Sequence, residues 1–533
     1  MAKEEVQDRY AIVYFIFVLL GTGTLLPWNV FLTEKEFYDV RLHVAPFNVY
    51  ITENFMSLFC LVFNTANLVA LGFLVKFQKH LSLRVLVLQP LVVTFIMLLS
   101  TAALALRTEI PGDLMAKLTL PSLALMGMCM AFLQGGTMQL ASIFSIAHIR
   151  GVVSGIAVGG LVTSSLSFLS QLRATQQGAD GSGGASGSAA DANANSIGIS
   201  IISAVADVDP HTSPASAASA AAAAAAASAV APAAFVYFSA SAAVIGACIA
   251  GYWSLPWLPY GRYKLLLAGI LDDPKQRKML TVDEDYEEPL FTVVEGDIDG
   301  AAAAAAGPST SSGATRTETT RAAIICVESD YSIYTRTWQQ RHAFSIYCLA
   351  LFLCLCATMS THPGLSAFIC SVDNPARVSP CAARNDTPGV LGRIRGDLFV
   401  PLLFVLFSLG DFLGRFLSGY GPWSRGAPKP LSILAYSLLR CSLAAAVLFC
   451  HLVTPTRWRL HAYLDRDHWP WGVVLALGAT QGHLISTICM HAPSTLMPTE
   501  QSRYGPVTSF AISAGCFVGS FVSMGLSSAF QEH

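Results

Sequence analysis

The residues with the most chemistry to offer are Asp411 and Arg415, set in the apolar stretch FVPLLFVLFSLGDFLGRFLSGYG. An ionisable side chain at membrane depth is expensive, so each such group is a candidate site by default. Residues four apart on a helix share one face, about one turn from each other. Their charges nearly cancel, which lowers the cost of burial. Side by side they present an acceptor and a fork of donors, the combination that vicinal hydroxyls such as those of a sugar require. A purely structural ion pair between helices would use the same two residues. The stretch MGMCMAFLQGGTMQLASIFS holds Gln134 and Gln139. An amide donates and accepts at once, which suits the edge of a heterocyclic base. Gly135 and Gly136 permit close approach of a neighbouring helix or a ligand. Hydrogen bonding between helices is the plainer role for either glutamine, and the stronger one for Gln139.

Other polar or rigid groups stand near these. Pro27 lies in the apolar run GTGTLLPWNVFLTEKEFY, where it removes a backbone hydrogen bond and bends a helix. Trp28 follows it, placed either as an interfacial anchor or as a plate for a planar ligand. Asn29 reads as a hydrogen-bonder at the bend, and Leu32 lies one turn further on. Asn64 and Asn67 would line a path or join two helices. Arg440 has no nearby acid in sequence and is expected to bond across helices, as a structural or gating residue. His362, before Pro363, and His483 could titrate or touch a ligand; a satisfied histidine inside a bundle is the ordinary alternative.

Signatures of covalent chemistry are absent from the sequence. There is no Walker A loop, no G-x-S-x-G, no H-E-x-x-H and no dinucleotide fingerprint. An enzyme and an ATP-driven pump are therefore not expected, nor is a cofactor or a metal. Of 533 residues, 53% are hydrophobic and 12% charged. Soluble domains carry about 25% charged residues, so lipid must cover much of this surface. A net charge of -2 without a basic stripe gives nucleic acid no footing. Most of the thirteen cysteines lie inside apolar runs as small hydrophobes. Cys370 and Cys381 share a polar loop and are a possible disulfide pair if that loop faces outside.

A helix needs about 20 mostly apolar residues to cross a bilayer. Runs near 10–32, 52–75, 84–106, 116–145, 151–172, 233–255, 343–370, 398–419, 430–452, 470–491 and 506–530 meet that test. The chain is thus expected to be an all-α integral membrane protein of about eleven spans. Lys76, Lys79, Arg84, Arg150, Arg425 and Lys429 fall in alternate short loops, which places the N-terminus in the cytosol and the C-terminus outside. Arg457, Arg459 and Arg466 run against this pattern, and Asp465 and Asp467 offset them in part. Asn385, in Asn-Asp-Thr, becomes a glycan acceptor on the outer side, with Pro388 lowering its occupancy. Residues 1–172 read as helices 1–5, and 233–258 as helix 6. Between them, 173–232 is a low-complexity Ala/Gly/Ser loop. Residues 259–340 read as a disordered cytosolic loop, and 341–533 as helices 7–11. A central loop between two helical halves is the plan of a two-bundle transporter.

Several of these segments together resemble a known family. LGTGTLLPWN, FLQGG and GDFLGR are similar to signature segments of the equilibrative nucleoside transporters, solute carrier family 29. VYFSASAAVIGACIAGYWSLP and QGHLISTICM resemble two more, in the same order along the chain. The resemblance covers nearly all of the helical part. It implies a fold like that of the major facilitators, six and five helices around a central cavity. It also implies transport of purine or pyrimidine nucleosides, or nucleobases, by alternating access, facilitative or proton-coupled. By motif, Trp28 would lie beside the base, Gln134 would bond its edge, and Asp411 with Arg415 would engage the ribose. His483 departs from the family's usual aromatic, His362 from its Phe, and Leu32 from the Met of some members, which leaves base selectivity open. The fifth span has no acidic residue, against the organic-cation branch. A carrier of a sugar or organic cation on a similar fold is the alternative, whereas a receptor or an intramembrane enzyme fits less well. The partners expected are a nucleoside or nucleobase, the bilayer and, if transport is coupled, protons. The location expected is the plasma membrane.

Overall fold

A backbone that crosses hydrocarbon must satisfy its own N–H and C=O groups, so apolar runs of this length close their hydrogen bonds internally as helices. The computed structural model describes residues 8, 11–33, 35–46, 48–77, 80–180, 215–268, 270, 315–372, 390–396, 398–420, 426–450, 452, 463–464, 466–496 and 504–531. The α-helices are α1 (Ile12–Thr33), α2 (Lys35–Leu42), α3 (Val49–Phe77), α4 (Gln89–Ala105), α5 (Gly112–Phe144), α6 (Ile146–Asp180), α7 (Ala215–Ser254) and α8 (Pro259–Leu267). They continue with α9 (Thr315–Thr361), α10 (Val390–Ile394), α11 (Phe399–Leu417), α12 (Pro430–Ala446), α13 (His468–His491) and α14 (Tyr504–Gln531). Eleven of them are long and apolar enough to cross a membrane, namely α1, α3 to α7, α9 and α11 to α14. The protein is a multi-pass membrane protein, as its hydropathy requires.

These eleven helices pack as two bundles. In the first, α1 lies on α6 and α7, α3 on α5, and α4 on α7. In the second, α11 lies on α13, and α9 on α14 and α12. The bundles meet along two seams, α6 against α11 and α13, and α14 against α3 and α5. This is the six-plus-five plan of the sequence reading.

Close approach within the second bundle is set by glycines. Without a hydrophobic drive between helices in lipid, small residues let backbones reach contact. Gly410 and Gly414 on α11 lie against the backbone of Leu475 and Ala479 on α13, and Gly478 and Gly482 on α13 lie against that of Phe407 and Asp411 on α11. A Cβ on Gly414 would collide with the carbonyl oxygen of Ala479, and one on Gly482 with that of Asp411. The G-D-F-L-G-R segment therefore sets helix packing through its glycines, beside the two charges that it carries.

Some boundaries differ from the sequence reading. Helix α6 continues to Asp180 and α7 already begins at Ala215, inside the stretch read as a loop. Alanine has the highest helix propensity, so an alanine tract joined to a membrane helix extends it. Ala227 of that extension packs with Val40 and Val44, at and just beyond the end of α2. Likewise α8 and the first part of α9 occupy parts of the stretch 259–340. Residues 181–214 and 271–314 lie outside the described residues. Helix α1 runs through Pro27 to Thr33. Arg41, fully buried, donates to the carbonyl oxygens of Thr108 at 3.0 Å and Arg107 at 2.7 Å. A cation is well placed there, just past the carbonyl end of α4.

Candidate functional site

Asp411 and Arg415 are both buried on the face of α11 that meets α13 and α6. Arg415 Nε donates to Asp411 Oδ2 at 2.8 Å and Nη2 to Oδ1 at 3.3 Å. The pair is thus engaged through both carboxylate oxygens, the geometry in which a guanidinium fork is strongest. The third donor, Nη1, reaches the carbonyl oxygen of Val153 on α6 at 2.9 Å. That bond crosses between bundles, near the end where α6 starts and α11 finishes. The pair therefore both carries charge into the interior and joins the two halves.

Arg440 on α12 is 2% exposed. Among the described residues no carboxylate bonds it directly. Its donors go instead to Cys354 O at 2.6 Å, Leu477 O at 2.9 Å, Thr358 Oγ1 at 2.7 Å and Thr480 Oγ1 at 3.2 Å. This ties α9 and α13 to α12, the cross-helix bonding anticipated for an arginine with no acid nearby. Gln481 of α13 completes the set. Its Oε1 accepts from Thr358 Oγ1 at 2.6 Å, and Arg440 Nη2 lies 3.4 Å from the same oxygen. Its Nε2 points at Asp411 Oδ1, 3.5 Å away. Asp411, Arg415, Gln481, Thr358 and Arg440 thus form one buried polar chain through the second bundle.

The first bundle contributes Trp28 and Gln134. Trp28 is half-buried and stacks on Phe59, centroids 5.1 Å apart at 26°, with Phe63 at 5.0 Å. Gln134 on α5 is 6% exposed, and its Oε1 has no hydrogen-bond partner among the described residues. A buried acceptor left unmatched costs about 1–3 kcal/mol, a cost that a donor on a ligand would remove. Gln139 Oε1 is in the same condition. Among the described residues no hydrogen bond, ion pair or ring contact joins Trp28 or Gln134 to the Asp411 pair. The two groups of residues belong to opposite bundles.

The remaining candidates divide. Asn67 Nδ2 donates to Gly127 O at 3.1 Å, joining α3 to α5. Asn64 and Asn29 are half-buried. The side chain of Leu32 lies outside those described. His483 meets the ring of Tyr436 on α12 edge-on at 6.0 Å. His362 is buried just beyond α9, with Nδ1 2.7 Å from Ser366 Oγ and its ring stacked 4.1 Å from Phe407. Phe407 stands one turn from Asp411, so His362 packs behind the pair. His362→Phe keeps the stacked ring but loses the bond to Ser366 and adds volume, so it is expected to lower stability by about 1–3 kcal/mol while uptake per folded molecule stays near the parent's. Uptake measured at two pH values checks this; loss of uptake at either would assign the ring nitrogen a role in transport. Cys370 is disulfide-bonded; Cys381 and Asn385 lie outside the described residues.

The profile of the family described as "Nucleoside transporter" matches residues 215–527. The chain is 24% identical over 549 residues to equilibrative nucleoside transporter 1 of Rattus norvegicus, covering 97% of each. It is 24% identical over 559 residues to equilibrative nucleoside transporter 2 of Homo sapiens, again with 97% of each covered. Among solved structures it is similar to a peptide transporter POT in complex with alafosfalin, with a TM-score of 0.42, 11% identity, and 98% of this chain and 92% of that one covered.

Proposed function

From a chain that belongs to the nucleoside transporter family and moves nucleosides across a membrane, we infer that transport proceeds by alternating access around the Asp411–Arg415 pair. The observation that supports this most is the double duty of Arg415. One guanidinium holds the Asp411 carboxylate and also bonds the opposite bundle at Val153 O. A substrate that engages this guanidinium competes with the bond between halves, so binding and rearrangement are linked at one side chain. Such linkage is the differential interaction that a ligand needs in order to shift a conformational equilibrium. The ribose hydroxyls donate to Asp411 and accept from Arg415. The base lies beside Trp28, and an N–H on its edge meets the unmatched Oε1 of Gln134. Asp411 and Arg415 thus read the sugar, and Gln134 reads the base. The protein acts as a carrier and not as an enzyme. The alternation of Lys and Arg between short loops supports an N-terminus in the cytosol and a C-terminus outside, and the plasma membrane is the location we propose.

Purified protein in liposomes, given labelled adenosine, uridine and hypoxanthine at two pH values, tests this reading. Both nucleosides are expected to enter and to compete with one another, and hypoxanthine, without ribose, to enter less well. Preference for hypoxanthine over both nucleosides would overturn the assignment of the charged pair to ribose. Accumulation driven by a proton gradient would identify coupling to protons. Gln134→Ala is expected to change the ranking of adenosine against uridine by about tenfold, the effect of one buried hydrogen bond of ~1.4 kcal/mol. An unchanged ranking in competition assays would remove Gln134 from the base.

A further inference from the structure

The polar chain behind the ion pair contains Gln481, which binds neither sugar nor base in the reading of Asp411, Arg415 and Gln134. We propose that Gln481 is a positioning residue for the substrate: it orients the Asp411 carboxylate toward the ribose hydroxyls and ties it to Arg440. The proposal rests on the reading of Asp411 and Arg415 as the ribose site.

The orientation of the Gln481 amide follows from its neighbours. Arg440 Nη2 lies 3.4 Å from Oε1 and can only donate. Thr358 Oγ1 lies 2.6 Å from the same atom. The hydroxyl also takes a bond from Arg440 Nη2 at 2.7 Å, so its own proton is free for Oε1 or for Cys354 O at 2.9 Å. Reversing the amide would set its NH2 against the guanidinium and its carbonyl against the carboxylate. Both contacts would then be repulsive. The amide therefore has one acceptable arrangement, with Nε2 directed at Asp411 Oδ1.

The two ends of this amide are unequal. The carbonyl end is held by a short bond, and the amino end stands 3.5 Å from Asp411, at the outer limit for a hydrogen bond. Gln481 is anchored to α9 and α12 and only lightly holds the carboxylate. Oδ1 also receives only the longer of the two Arg415 contacts, 3.3 Å against 2.8 Å for Oδ2. It is the less committed oxygen and the one best able to accept a hydroxyl. Gln481 stands beside that oxygen and limits how far the carboxylate can turn. It also joins a second guanidinium to the site without a second carboxylate.

A role in packing alone makes a different prediction. It would lower the amount of folded protein and leave the preference for ribose hydroxyls intact. The test compares inhibition of labelled uridine uptake by uridine and by 2′,3′-dideoxyuridine, using the full-length chain in liposomes. The wild type, Gln481→Leu, Gln481→Asn and Thr358→Val are measured at matched amounts of folded protein. Leucine removes the amide at similar size. Asparagine keeps the amide but is one methylene too short to reach both ends. Thr358→Val frees the anchored end. The wild type is expected to prefer uridine, and Gln481→Leu to lose about tenfold of that preference through weaker uridine binding, with dideoxyuridine unchanged. Gln481→Asn and Thr358→Val are expected to lose part of it, and they decide the matter if Gln481→Leu does not fold. Full preference in every folded variant would overturn the positioning role while leaving the ribose site standing. A wild type without the preference would overturn both.

Discussion

Arg415→Ala is expected to reduce nucleoside uptake by at least about a hundredfold at equal surface amount. Removing one member of a buried ion pair leaves the other charge uncompensated, at a cost of about 3–5 kcal/mol. Here the loss falls on Asp411, which among the described residues keeps the amide of Gln481, 3.5 Å away. The same substitution removes the donor that bonds Val153 O, so the contact between bundles weakens as well. Stability and transport should therefore both fall. Asp411→Asn separates the two effects. The amide keeps an acceptor for Arg415, and the guanidinium keeps its bond to α6, so folding should suffer less while uptake is still lost. Surface labelling with initial-rate uptake measures both quantities. Normal uptake by both variants at the parent's surface level would show the pair to be dispensable.

A second large effect is expected at Gly482. A Cβ there meets the carbonyl carbon and oxygen of Asp411, and Arg415 Cγ is 3.1 Å away. Backbone cannot swing aside as a side-chain tip can, so α13 must move off α11. Overpacking of a well-filled core costs about 1–3 kcal/mol and more where backbone is displaced. Gly482→Ala should therefore lose most of its folded protein, and what survives should transport poorly because the ion pair is displaced. Gly472, on the same helix, faces open space within 4 Å. Gly472→Ala is expected to leave both the melting temperature and uptake near the parent's. Equal behaviour of the two variants would show that the α11–α13 contact does not depend on glycine.

The helices were legible because membrane-spanning sequence obeys one strong rule, that apolar length forces internally bonded helix. Their number followed from it, and so did the burial of Asp411 and Arg415 as a pair, whose charge stands out against leucine and phenylalanine. The ends were less legible. The start of α7 at Ala215 depends on helix propensity in an alanine tract whose composition equally describes a linker. Gln481 met the same test as Gln134, a polar side chain deep in an apolar span, yet its value appears only when α9, α11 and α12 are brought around it. Thr358 gave no signal at all, since a threonine in a membrane helix ordinarily bonds its own backbone, and Cys354 O lies 2.9 Å from this hydroxyl as the alternative to Gln481 Oε1 for its one proton. For Arg440 the sequence supplied the question of what compensates it, and carbonyl oxygens on α9 and α13 supply the answer. His362 was a candidate for titration by residue type. Its stacking on Phe407 is a property of the neighbouring helix and could not be read from the THPG segment.

The most direct test of the ribose assignment is a comparison of wild type with Arg415→Lys, using adenosine, uridine and their 2′,3′-dideoxy forms as competitors of uptake. Lysine keeps a positive charge for Asp411 and loses the planar fork that would address two hydroxyls. In the wild type, removing the hydroxyls leaves buried polar groups unmatched, at roughly 1–3 kcal/mol or more for charged ones, which is about a ten- to hundredfold loss of affinity. If the fork binds those hydroxyls, the two losses overlap and do not add. The dideoxy penalty should then shrink strongly in Arg415→Lys, with adenosine and uridine ranked as before. A penalty of the same size in Arg415→Lys as in wild type would contradict the assignment and leave Asp411 and Arg415 as a lock between helices.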